Sequence, residues 1–176
     1  MHSFRKMKKG ESKIMCVIIP VMLIALLAAA APAQEKSVTV AAGDEPGVVL
    51  TVPADSKVDA SKTETDIRTT NMFLIVRHLP DVAKPEDAIP RTAEMIKADF
   101  VKFQATSTND LALAGAPAKE LAGTGEEADD GDPGTADVVF FSVGKHVFAA
   151  CVHGESNPAA KQRKPMLEIL QTAKAP

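Results

Sequence analysis

An apolar run from Ile14 to Leu27 stands between a basic cluster and an alanine-rich stretch, and it decides how much of this chain is left to fold. Arg5, Lys6, Lys8, Lys9 and Lys13 precede the run, and Pro20 interrupts it. Ala28 to Ala33 is small, and Ala31-Pro32-Ala33 fits the A-x-A pattern a signal peptidase accepts. Residues 1–33 therefore read as a cleavable Sec leader, with the cut between Ala33 and Gln34 and a single domain over 34–176. The competing reading is an uncleaved anchor, because the run to Ala31 approaches bilayer-spanning length. A lipoprotein fits less well: Cys16 lies near the start of the apolar stretch, not after it. There is no twin-Arg pair, and Met7 opens an alternative start, Met7-Lys8-Lys9.

Removing the leader leaves fifteen basic and twenty-two acidic residues, a net charge of −7. Nothing offers the basic stripe that nucleic acid needs, or the polybasic segment that docks to anionic lipid, so no membrane insertion is expected after cleavage. Cys151 is the only cysteine beyond the leader, so no internal disulfide is expected even in an oxidising compartment. The fold must rest on its core. A domain of 143 residues can supply one, burying roughly 70% of its unfolded surface.

The pattern of the domain begins with two strands, Ser37–Ala42 and Val48–Val52, around Gly43-Asp44-Glu45-Pro46-Gly47. Ala54–Lys62 reads as loop. Thr63–Leu79 is strand-like, and Asn71–Leu79 is apolar on both faces, as a strand covered on both sides is. Over Pro85–Phe103, Ile89, Ala93, Ile96, Phe100 and Phe103 recur at helical spacing, which predicts one amphipathic helix. Leu111–Leu113 and Ala118–Gly123 read as short strands. Asp137–Val143 and His146–His153 are joined by Gly144-Lys145, which predicts a type II′ hairpin turn. Asn157 can cap a last helix with Pro158 at its first position. Pro165 predicts a kink or a late start in that helix. The order implies an α+β fold, a mostly antiparallel sheet with helices packed on its faces.

Several short segments resemble the PsbP/Mog1-type fold, especially the small exported DcrB-like bacterial proteins. They are the hairpin ending Val48-Val49-Leu50-Thr51-Val52-Pro53, the strand Phe73–Val76 with its following helix, and Ala114-Gly115-Ala116-Pro117-Ala118 leading into the next strand. The hairpin Val143-Gly144-Lys145-His146-Val147-Phe148 and the closing Leu167-Glu168-Ile169-Leu170 complete the set. The resemblance implies an α/β/α sandwich and accessory or binding modules rather than enzymes. It maps no functional residue onto this chain.

Three constellations could carry chemistry. Cys151 and His153 are two apart on a strand and so share a face; a Cys–His couple is the minimum for thiolate catalysis. The competing reading is a buried small thiol beside an edge histidine. His78, His146 and His153 could meet as a metal site, but none has the spacing zinc sites commonly use. Glu126, Glu127, Asp129, Asp130 and Asp132 supply hard oxygen donors, yet Gly131 falls out of EF-hand order, so a solvated acidic loop competes with a divalent-cation site. No nucleophile elbow, P-loop or dinucleotide fingerprint is present, and carboxylate pairs leave no signature. The domain has neither Trp nor Tyr, which disfavours sugar platforms and π-cages. The sequence thus predicts an exported, periplasmic or secreted, non-catalytic module that takes no cofactor and binds a protein or envelope partner. Its rivals are a thiol enzyme on Cys151 and His153 and a divalent-cation binder on the 126–132 segment.

Overall fold

A computed structural model describes residues 34–155 and 158–176, with only the backbone of 155 and 158–160. The leader, and with it the proposed cut site, lies outside the described residues, as does the Asn157 cap. Two strands open the domain, β1 (Glu35–Ala42) and β2 (Glu45–Pro53), and form the expected hairpin. Their buried residues alternate: Val38, Val40 and Ala42 on one strand, Val48, Leu50 and Val52 on the other. Seven further strands form one antiparallel sheet: β3 (Lys57–Ala60), β4 (Glu64–Arg68), β5 (Phe73–His78), β6 (Phe100–Leu113), β7 (Ala116–Glu127), β8 (Pro133–Val143) and β9 (His146–Glu155). Their spatial order is β3-β4-β5-β9-β8-β7-β6.

Both faces of the sheet's middle are covered, which is why its central strands are apolar on both sides. Leu74 and Val76 of β5, Val139 and Phe141 of β8, and Phe148, Ala150 and Val152 of β9 share one core with the β1–β2 hairpin and α3 (Pro158–Leu170). Val138, Phe140, Val147, Ala149 and Cys151 share a second core with Val82, Ala88, Ile96 and Phe100. The turn between β8 and β9 is the expected one, since Gly144 alone of its two residues takes a positive φ, 59°. The β6–β7 turn is left-handed at both Ala114 (φ 48°) and Gly115 (φ 81°), a type I′ turn.

Three expectations are corrected. The helix predicted over Pro85–Phe103 is α1 (Pro85–Ala88), a 3₁₀ turn (Ile89–Arg91) and α2 (Thr92–Ile96), after which Phe100 already begins β6. Pro90 lacks the N–H that would carry the ladder through, so the segment breaks there. Phe100 and Phe103 owe their three-residue spacing to a bulge. Val101 pairs with Glu126 and Gln104 with Thr124, so three steps in β6 answer two in β7, with Lys102 at φ 53°. The extra residue turns Phe103 to the same face as Phe100, and their rings meet edge-on at 6.4 Å. Glycines make room beneath them: a Cβ on Gly123 would lie 2.3 Å from Phe103, and one on Gly125 2.5 Å from Phe100.

The segment read as loop, Ala54–Lys62, contains β3, an exposed edge strand whose polar residues hide it from a hydrophobic pattern. The two short strands expected around Gly115 are the ends of the long hairpin β6–β7, because Gln104–Asp110 is exposed on both faces. Of the two outcomes expected at Pro165, the late start does not occur, because α3 begins at Pro158 and runs through Pro165. Met166, Ile169 and Leu170, buried directly after Pro165, hold it to the sheet.

Candidate functional site

Cys151 sits in the second core, with Ile75 of β5 and Val138 of β8 as its cross-strand neighbours. It is 5% exposed, and burial pushes its thiol up to about 12. At that value almost no thiolate exists near neutral pH. His153 shares the face and is engaged by Glu127: Nδ1 lies 2.9 Å from Glu127 Oε2, and the rings of Phe73 and Phe100 flank it at 6.3 and 6.0 Å. As a carboxylate Glu127 is an acceptor, so the contact is Nδ1–H donating to Oε2. Nε2 and Glu127 Oε1 are both buried without a partner among the described residues. Residues taken from two separate sequence readings, His153 and Glu127, thus form one dyad on β9 and β7.

The three histidines do not converge. His78 Nε2 and His146 Nδ1 meet at 3.2 Å at one end of the sheet, beside Phe148, while His153 lies with Glu127. Burial, then the neighbouring His146, lowers the pKa of His78. Glu45 is 3.8 Å from His146 Nε2 and 3.1 Å from Lys145 Nζ. Among the described residues no three metal-ligating side chains come together. The acidic segment is divided as well. Glu126 pairs with Lys102 at 2.7 Å, Glu127 faces His153, and Asp130 Oδ1 accepts the Asp132 N–H at 3.0 Å within the exposed loop that also holds Asp129.

A polar knot that the sequence reading missed centres on Arg77 of β5. Its guanidinium donates to Glu64, to the Met95 carbonyl and to Asp99 Oδ2, the last at 2.7 Å. It thereby ties β4 and the end of α2 to the sheet. An arginine inside the otherwise apolar Leu74-Ile75-Val76-Arg77 was the available signal, because a half-buried arginine needs carboxylate partners.

A groove of 740 Å³ lies between the β1–β2 hairpin, the β4–β5 turn and α3. Val52, Met72, Pro165 and Ile169 give it an apolar floor. Thr51, Thr70, Asn71 and Thr172 supply hydrogen-bonding groups, and Glu35, Asp55 and Glu168 outnumber Lys161. An apolar floor with a few placed polar groups is what binding sites present. Its residues come from four separate stretches of chain, so no sequence motif could announce it.

The fold has known counterparts. The chain superposes on the solution structure of cyanobacterial PsbP (CyanoP) from Synechocystis sp. PCC 6803 with a TM-score of 0.54 and 10% identity, over 87% of this chain and 99% of that one. More distant are LpqN, involved in cell envelope biogenesis of Mycobacterium tuberculosis (TM-score 0.46, 17% identity, 81% and 91% covered), and a Pseudomonas aeruginosa protein of unknown function, PA94, a putative regulator (0.45, 12%, 79% and 95%). No family model and no curated protein sequence matches the chain. The fold is PsbP-like, a single α+β domain built on an antiparallel sheet, as the sequence resemblance implied.

Proposed function

We propose that this PsbP-like chain is an exported accessory or binding domain of the cell envelope, which engages a partner through the groove between its first hairpin and α3. The groove carries the reading: 740 Å³ of open concavity with an apolar floor and an acidic, hydrogen-bonding rim. Its charge favours a partner that presents N–H donors or basic side chains. The leader pattern at residues 1–33 supports export. The buried, high-pKa thiol of Cys151 argues against the enzyme reading, since catalysis there needs a thiolate.

The test is site-specific photo-crosslinking in the producing cell. A benzophenone amino acid at Thr70, exposed in the groove, should give a discrete adduct. The same probe at Asp87, exposed on α1, should give none. Equal adducts at both positions, or none at Thr70, would reject the groove as the contact surface.

A further inference from the structure

Away from the groove, β6, β7 and β8 meet α3 around a cavity of 320 Å³ that holds two buried carboxylates and one guanidinium. Glu120 is 1% exposed and Asp137 6%. They lie on one face of adjacent strands, because Glu120 pairs with Val139 and Asp137 with Ala122, two positions along. Glu120 is fully engaged: Arg163 grips it with Nε and with Nη2, the latter at 2.9 Å, and Asn109 Nδ2 adds a contact at 3.2 Å. Asp137 has no such partner. Among the described residues no hydrogen bond or ion pair reaches its carboxyl, and Arg163 acts on it only at longer range. Nearby, Thr135 Oγ1 is buried and also unpartnered. A carboxylate with so little exposure is normally paired or hydrogen-bonded, so this wall of the cavity presents a carboxyl and a hydroxyl to which no partner is assigned among the described residues.

We propose that the cavity binds a primary ammonium group, held by Asp137 and Thr135. Two carboxylates against one guanidinium leave a single negative charge, which a monocation balances. An ammonium brings three donors on a compact head, matching a carboxylate and a hydroxyl two positions apart on one face of β8. A divalent ion would leave an excess positive charge beside Arg163 and would need several converging oxygens, of which Glu120 is already committed. The volume is at the small end for ligand sites, which suits a slim alkylamine or the end of one lysine side chain. The site is separate from the groove, so its failure would leave the proposed function standing.

Calorimetric titration of the purified protein with n-butylammonium and with a short peptide carrying one lysine tests it. Saturable binding of either, one per chain, is the expected result. Stronger binding of the free amine identifies a small molecule as the source, and stronger binding of the peptide a protein lysine. Tetramethylammonium, equally charged but without N–H donors, should bind at least roughly tenfold more weakly, and Asp137→Asn should lose a similar factor. Because that variant must also fold, a second readout uses the native protein: the Thr135 methyl resonance should shift with n-butylammonium while that of exposed Val58 stays fixed. No saturable binding, or unchanged binding by Asp137→Asn, overturns the proposal.

Discussion

At the scale of single residues, burial sets the chemistry. Cys151 lies between Ile75 and Val138 with its thiol pushed up to about 12, so a thiol reagent at neutral pH should label the native protein only at the rate of its unfolding. Cys151→Ala should cost on the order of 1 kcal/mol and leave function intact in a complementation assay. Rapid labelling of the folded chain, or lost function with an unchanged melt, would restore Cys151 and His153 as a catalytic pair. Asp137 gives a second test. Burial, then the charge of Glu120, raises its pKa above the ordinary 3.8. The folded chain therefore keeps this proton at a pH where the unfolded chain has lost it. Stability from this group rises as pH falls through the folded pKa and levels off below the unfolded one. Asp137→Asn should accordingly be more stable than the native protein at pH 7. The advantage should vanish near pH 3 in denaturant titrations, where both side chains are neutral.

At the scale of elements, the β6–β7 hairpin depends on two local departures from regular geometry. The bulge at Lys102 places Phe100 and Phe103 together over Gly125 and Gly123. Phe100 is completely buried, and Phe100→Ala should cost about 3–5 kcal/mol in a denaturant melt. An unmoved midpoint would mean that the ring does not contribute to the core. Gly125→Ala should also destabilise, because its new Cβ would meet the Val101 carbonyl oxygen at 2.5 Å, backbone that cannot swing aside. The turn has room for improvement. Ala114 holds φ 48°, a left-handed conformation that costs an L-residue roughly 1–2 kcal/mol. Glycine loses part of that gain to chain entropy, so Ala114→Gly should raise stability by about 0.5–1 kcal/mol. A lowered melting temperature would show that the Ala114 methyl matters more than its backbone.

At the scale of the whole molecule, the export reading has a direct check: intact mass of the protein taken from its producing cells should correspond to a chain starting at Gln34, and retention of residues 14–33 would favour the anchor. Local sequence determined the parts of this molecule that local physics controls. Apolar residues on both faces of Phe73–Val76 marked a covered strand, and glycine before Lys145 specified the type II′ turn. The order of these pieces was enough for the α+β class and the PsbP-like resemblance. The sequence misled where two structures share one spacing: Phe100 and Phe103 are three apart on a helix face and equally three apart across a bulge, and only the pairing of β6 with β7 distinguishes them. It was silent where strands lie at the sheet's edges, since β3 and the outer part of β6 bury little and so carry no hydrophobic period. The sites were decided by tertiary structure alone. Glu127 meets His153, and Arg163 meets Glu120, from 26 and 43 residues away, while the groove draws on four stretches of chain. Pairing at such separations follows from strand order and helix docking, which long-range burial fixes and no short pattern encodes.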